Sequence, residues 1–381
     1  MKTVITKCST AREVDNYKDI ILQDTPLIDV RAPVEFVKGS LPHAINLPLM
    51  NDEERVLVGT CYKKQGQQAA IELGHKLVCG LSKTQRITLW CQYFDQHPNS
   101  HIFCFRGGLR SLTSQQWINK TGRDIALIKG GYKALRQYLV TTTQTLVEQQ
   151  PLCIISGKTG SGKTELLDAL GDTLDLEAIA NHRGSAFGKN ITPQPSQIDF
   201  ENQIAKRLLQ LQQKPYTELV LEDESRTVGR CALPIELHNK MKQSEVYLLE
   251  DDLQTRTTRI LQDYVINMAE KYRLSYGEDA GFEYFCDYLK NALNRIKRRL
   301  GSLRHGQLSQ KLQQALNLQL SQNDHSAHKE WITVLLNEYY DPLYEYQLSN
   351  KQDRIVCSGS KSELLEIIRE KRNVAAKNKR D

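Results

Sequence analysis

Residues 152–164 read LCIISGKTGSGKT. The run Leu152 to Ser156 predicts a buried strand. Gly157 to Thr164 fits G-x-x-x-x-G-K-[ST], and KTELLDALGD continues as a helical pattern. Strand, glycine loop and helix in that order are the setting in which such a loop wraps a phosphate chain. Gly157, Gly160 and Gly162 would let backbone N–H groups turn inward. Lys163 is expected to reach phosphate oxygens and Thr164 to ligate Mg²⁺. The motif specifies a phosphate chain, not a nucleotide, and no base-specificity signature follows it.

Reading outward toward the C-terminus, ELVLEDES (218–225) predicts a second strand ending in acids. If it pairs with the first, Glu222 or Asp223 faces the metal, and Asp223 is taken as the metal candidate. SEVYLLE (244–250) predicts a third strand. The stretch from about 252 to 345 is polar and helical, and RIVCSG (354–359) is a late strand. Ser360 and Glu363 form an S-x-x-E capping box ahead of ELLEIIREKR. The tail KRNVAAKNKRD is expected to fray. HRGSAFGK (182–189) supplies Arg183 and Lys189 to an anion site.

Toward the N-terminus, the polar run VEQQ (147–150) and Pro151 mark an expected boundary between domains 1–145 and 151–381. Before it, TPLIDV (25–30), HIFCF (101–105) and DIALI (124–128) predict buried strands. REVDNYKDIILQ, SLTSQQWINKTG and YKALRQYLVTTTQTLV predict helices, and GSLPHAINLPLMN a loop. This alternation implies a mostly parallel sheet covered on both faces. The expected class is α/β: one parallel-sheet domain, then a P-loop α/β domain with a helical extension.

HIFCFRGGLRS (101–111) ends a strand on a cysteine and follows it with glycines and cations. The thiolate is the working form of such a residue. Glycines after Cys104 can form a nest of N–H groups, and a helix opening near Ser111 adds the positive end of its dipole. Arg106 and Arg110 add charge. Every term favours an anion on or above the sulfur. Two chemistries use such a loop: sulfur or selenium transfer, and cysteine-dependent phosphate ester hydrolysis. Cys104 to Arg110 satisfies C-x5-R, but Phe103 stands where the phosphatase signature has His.

The 381 residues are 40% hydrophobic and 25% charged, with a net charge of +6. That is an ordinary globular balance, and the mild basicity suits a polyanionic partner without requiring one. Nine cysteines, at positions 8, 61, 79, 91, 104, 153, 231, 286 and 357, show no zinc spacing. No signal peptide or membrane-length apolar run is read, so reducing cytoplasm is the expected setting.

LIDVRAPVEFVKGSLPHAINLPL (27–49) and KGGYKAL (129–135) resemble the signature segments of rhodanese domains. Together with TGSGKT, HRGSAFG, LEDESR, IKRRLG and EYYDPLYEYQL, they make the chain similar to the tRNA 2-selenouridine synthase family, a rhodanese domain fused to a P-loop domain. The five residues between Cys104 and Arg110 match that family and not common rhodaneses. The resemblance implies a two-step exchange on the 2-thiouridine at the wobble position of tRNA. The sulfur is alkylated from geranyl diphosphate, then replaced by selenium from selenophosphate. It implies Cys104 as the catalytic cysteine, Gly74 near the alkylation, and the P-loop as holder of the diphosphate. A selenophosphate-producing enzyme is an implied partner; a membrane is not. An ATP-dependent rhodanese-type tRNA thiolase remains the alternative, and a binding-only regulatory module a weaker one.

NRIKRRLGSLRHG (294–306) carries Arg295, Lys297, Arg298 and Arg299, with no acid between Lys290 and His305. On one helix, Arg295, Arg298 and Arg299 would share a face. They are the expected contacts to the anticodon arm.

Overall fold

The computed structural model describes residues 11–215 and 218–378; Cys8 lies outside them. The chain forms two compact units. The first takes residues up to 145 together with 196–210, and the second takes 146–195 and the chain from 211 onward.

The first unit is built on five parallel strands: β1 (Glu13–Val14), β2 (Leu27–Asp29), β3 (Ala44–Asn46), β4 (His101–Phe103) and β5 (Ala126–Ile128). Their order is β1-β5-β4-β2-β3. Leu27, Ile28, Ile102, Phe103, Leu127 and Ile128 are all buried, as central strands covered on both faces must be. Register pairs Asp29 with Phe103, so Val30 and Cys104 leave the sheet side by side, and the Val30 N–H donates to the Phe103 carbonyl at 3.0 Å.

Three sequence expectations change here. The stretch read as a loop contains β3, whose three residues lie between Pro42 and Pro48 and are too few to show an alternation. The first predicted helix begins only at Tyr17, because Glu13–Val14 pairs with β5. The helical run Asp52–Leu77, broken at Gly66 (φ 84°), and the helix Gly80–Gln96 were not assigned from sequence. Their apolar residues are diluted by exposed polar ones, which blurs the helical period.

The helix Gln197–Gln212 contributes residues 197–210 to this unit. The Asn202 amide donates to the Ser40 carbonyl at 2.6 Å, and Asp199 accepts the Ser40 N–H at 2.8 Å. Gly39 (φ 142°) must stay glycine there, since a Cβ would lie 2.5 Å from that of Ile198.

The second unit has four parallel strands, β6 (Leu152–Gly157), β7 (Leu219–Glu222), β10 (Glu245–Leu249) and β11 (Ile355–Gly359), ordered β11-β10-β6-β7. A small antiparallel pair, β8 (Thr227–Val228) and β9 (Cys231–Ala232), follows β7. The helical extension runs from Leu253 to Ser349 around Phe285, Leu289, Trp331 and Ile332. It contains two π-helical turns, Leu261–Ile266 and Leu336–Tyr340. Ser360 and Glu363 form the expected capping box, the Ser360 N–H donating to the Glu363 carboxylate at 2.8 Å. Over its described part the tail does not fray: the helix Lys361–Asn378 continues past Lys371, with Ile368 and Arg372 buried, and residues 379–381 lie outside the described residues.

Candidate functional site

The cysteine loop occupies the end of β4. Cys104 is 3% exposed, its Sγ lies 3.2 Å from Ser111 Oγ, and the Gly108 carbonyl accepts from the Ser111 hydroxyl at 3.1 Å. The loop is held by KGGYKAL. The Tyr132 and Lys133 N–H groups donate to the Cys104 and Phe105 carbonyls, both at 2.9 Å. Gly131 (φ 61°) sits so close that a Cβ would be 2.3 Å from the Cys104 carbonyl oxygen. The glycine pair is therefore the price of letting two backbones cross beneath the sulfur.

Sequence placed Arg106 and Arg110 around the sulfur, and the structure separates their roles. Arg106 is exposed, its guanidinium 5.8 Å from the Phe105 ring centroid. Arg110 makes a two-pronged bond to Glu35, at 2.6 and 3.2 Å, and Arg55 joins the same carboxylate at 3.0 Å. Burial works against the charges of Glu35 and Arg110, but their mutual bond prevails: the carboxyl titrates below and the guanidinium above its usual range. Glu35 was not singled out from sequence; the E-F pair of the signature was its signal. The D-V-R of that signature is a buried lock, with Arg31 bonded to Asp29 at 2.6 Å and its guanidinium 3.9 Å from the Tyr132 ring centroid.

Beside this loop lies a cavity of about 980 Å³. Its wall is largely apolar, with Met50, Val58, Ile71, Val78, Leu109 and Trp117, and carries Arg55, Lys63 and Arg110 as cations. Gly74 lines it from the helical run Asp52–Leu77. A Cβ at Gly74 would meet nothing nearer than Val58 Cγ2 at 3.9 Å. Packing does not require glycine there, so its effect is to leave the cavity open.

In the second unit the phosphate loop has its expected form. It joins β6 to the helix Lys163–Leu170, with Gly160 and Gly162 at φ 80° and 91°. Lys163 Nζ donates to the Gly157 carbonyl at 2.9 Å. Ser161 Oγ is buried and has no hydrogen-bond partner among the described residues. Two arginines brace the loop from behind: Arg256 donates to the Thr159 carbonyl at 3.0 Å and pairs with Asp341, and Arg259 reaches the Gly160 carbonyl and Glu165. These bracing residues were missed, because their partners lie more than 80 positions away in the chain.

β7 pairs with β6, with Ile155 opposite Glu222. Asp223 lines the pocket with Lys163 and Thr164 and accepts from Ser156 and Lys351 at 2.5 Å, both on Oδ2. Glu222 instead turns inward, accepting the Glu177 N–H at 2.7 Å, and burial drives its carboxyl well above the ordinary range. Glu177 and Glu224 face the pocket close to Lys163. Burial raises both, with Asp175 adding to the rise of Glu177 and Glu177 to that of Glu224, which reaches about 8. The pocket measures about 350 Å³, and Arg183 reaches it while paired to Asp263 at 2.6 Å. The apolar annex behind it, near Phe187 and Trp331, holds about 20 Å³.

The basic segment does not form one helical face. The helix Glu278–Arg295 stops, Ile296 turns the chain (φ −98°, ψ 0°), and Lys297–Leu300 is a separate short helix. Arg299 lines the phosphate pocket. Arg295 donates to the Ala186 carbonyl at 2.6 Å, and Arg304 pairs with Glu338 at 3.2 Å. Lys189 stands with Arg295 at a different groove.

Fold and sites together define a rhodanese-type cysteine domain joined to a P-loop domain of AAA type. A family profile described as a rhodanese-like domain matches residues 11–138, and one described as the tRNA 2-selenouridine synthase AAA domain matches residues 150–375. The chain is 52% identical over 345 residues to the tRNA 2-selenouridine synthase of Shewanella frigidimarina, covering 91% of this chain and 94% of that one. It is 49% identical to that of Marinobacter nauticus over 357 residues, 94% and 97% of the two chains. The chain belongs to the tRNA 2-selenouridine synthase family. Among the described residues, no helix is long and apolar enough to cross a membrane.

Proposed function

We propose that this protein converts 2-thiouridine at the tRNA wobble position to 2-selenouridine in two steps, using geranyl diphosphate and then selenophosphate. The observation that carries the reading is the apolar cavity of about 980 Å³ bordered by both Gly74 and the cysteine loop. The cavity's largely apolar wall suits a ten-carbon chain, which persulfide transfer does not involve. The annex of the phosphate pocket, at about 20 Å³, is too small for it.

In the first step the thiouridine sulfur attacks the allylic carbon of the geranyl group, and the carbon–oxygen bond to diphosphate breaks. Arg55, Lys63 and Arg110 place positive charge at the cavity wall, where an anion can be met. In the second step the selenium of selenophosphate adds at C2 of the base, the geranylated sulfur leaves as geranylthiolate, and water cleaves the selenium–phosphorus bond to release phosphate. The loop of Cys104, with its helix start at Leu109, is suited to hold the selenophosphate anion.

The P-loop takes a diphosphate or longer phosphate chain. Thr164 and Asp223 both offer hard oxygen to a Mg²⁺ ion, and Asp223 Oδ1 is free of the bonds that occupy Oδ2. Bound there, the ion would supply charge neutralisation to the phosphates. Lys163, which lines the same pocket, would donate to the same oxygens.

The test is nucleoside mass spectrometry of 2-thiouridine tRNA incubated with the protein and geranyl diphosphate, followed by selenophosphate. Geranylthiouridine and then selenouridine are expected. Sulfur insertion into an unthiolated uridine that requires ATP, with no geranylated product, would replace this reading with the thiolase.

A further inference from the structure

The helical extension carries a groove of about 650 Å³ that neither site uses. Its walls come from the helices Asn267–Tyr276 and Glu278–Arg295 and from the chain at Lys189 to Ile191. Tyr276 and Tyr284 are 49% and 51% exposed, with ring centroids 4.7 Å apart. Tyr272 continues the row, 6.1 Å from Tyr276 with planes 26° apart. Below them Tyr288 is buried and fixed by a bond from its hydroxyl to the Phe187 carbonyl, so the row stands on a rigid floor.

Lys189 and Arg295 border the same groove. Among the described residues neither makes an ion pair with an acid, and Arg295 is held in place by its bond to the Ala186 carbonyl. Asp287 is the acid at the groove, and Asn291 adds an amide. The next cations along the chain, Lys297 and Arg298, are also without ion pairs among the described residues.

Exposed aromatic faces beside unpaired cations match one chemistry closely. A base stacks on a ring regardless of its identity, and a cation nearby takes the phosphate. A paired base cannot do this, since its faces are already covered. We propose that this groove binds an unpaired nucleotide of the tRNA, its base against Tyr276 and Tyr284 and its phosphate on Lys189 and Arg295. The proposal rests on tRNA being the partner, as the function above requires.

The experiment is equilibrium binding of 2-thiouridine tRNA to the full chain at several salt concentrations. Replacing both tyrosines, Tyr276→Ala with Tyr284→Ala, should weaken binding by about tenfold or more without changing its salt dependence. Tyr276→Phe with Tyr284→Phe should bind like the unsubstituted protein, because ring faces remain. Lys189→Gln should reduce the slope of log affinity against log salt by about one contact's worth. On a fully paired RNA duplex, the alanine variant and the unsubstituted protein should bind alike. Unchanged tRNA affinity in the alanine variant overturns the groove while leaving the proposed function standing. An equal loss on duplex and tRNA also overturns it. Failure of the unsubstituted protein to bind tRNA at all would overturn both.

Discussion

Cys104 Sγ and Ser111 Oγ lie 3.2 Å apart, and both address the Gly108 carbonyl at the start of the helix Leu109–Asn119. The sulfur is thus held by a hydroxyl from the helix that opens at the end of its own loop. Cys104→Ser keeps the size and a hydrogen-bonding atom but removes the sulfur. It is expected to fold normally, abolish selenium incorporation and let geranylated tRNA persist. Ser111→Ala should lower the rate of selenation by about tenfold through loss of one oriented bond. Selenation at the normal rate by Cys104→Ser, read by mass spectrometry, would remove Cys104 from the chemistry.

Gly74 offers a separation of stability from activity. Glycine in a helix interior costs about 0.5–1 kcal/mol relative to alanine, and a Cβ here has room. Gly74→Leu should therefore melt no lower than the unsubstituted protein while occupying the cavity. Geranylation should fall by more than tenfold, and selenation of tRNA that is already geranylated should be largely kept. Full geranylation by Gly74→Leu would show that the chain binds elsewhere.

The acids around Lys163 predict a pH dependence. Burial and repulsion raise Glu224 to about 8 in the folded protein, above the ordinary value near 4.5. Between those values the folded state binds more protons than the unfolded one. Its contribution to stability is whole below the ordinary value and is lost as pH rises toward 8. Glu224→Gln stays neutral and escapes that loss. Thermal melts should show the variant more stable than the unsubstituted protein near pH 8.5, with the gap closing toward pH 5. A gap that is constant across this range would contradict the raised Glu224 carboxyl.

Arg299 distinguishes two placements of one residue. As a wall of the phosphate pocket, Arg299→Ala should weaken binding of a phosphate chain by about tenfold, with Lys163→Ala weakening it more. The affinity of Arg299→Ala for tRNA should change less than twofold. Titration with ATP and with geranyl diphosphate in parallel also identifies which phosphate chain the loop prefers. A tRNA defect without a phosphate defect would return Arg299 to the RNA surface.

Both glycine loops could be read from sequence because each is local: strand, turn and helix follow one another within about twenty residues. The placement of Cys104, Lys163 and Thr164 in these loops needed no tertiary information. Glu35, Arg256 and Arg259 did, since Glu35 meets Arg110 from 75 positions away and Arg259 meets Glu165 from 94. The expectation that the basic run near Arg298 shares one helical face fails for a geometric reason. Helical spacing predicts a shared face only while the helix continues, and Ile296 ends it. The tyrosine row escaped notice because its members sit on two helices joined at Gly277, so no single period reveals them.

The helix that returns to the first unit has a consequence during synthesis. Ser40 waits for Asp199 and Asn202, Asp24 for Lys206 and Arg136 for Glu201. These partners leave the ribosome up to 65 residues after position 145, counting to residue 210. At about 5–20 residues per second that is a delay of about 3–13 s. During that interval the cysteine loop is already made, while the surface that Gln197–Gln212 will cover is still bare. A fragment of residues 1–145 should be recognised by chaperones, and adding a peptide that spans residues 196–212 should reduce that recognition.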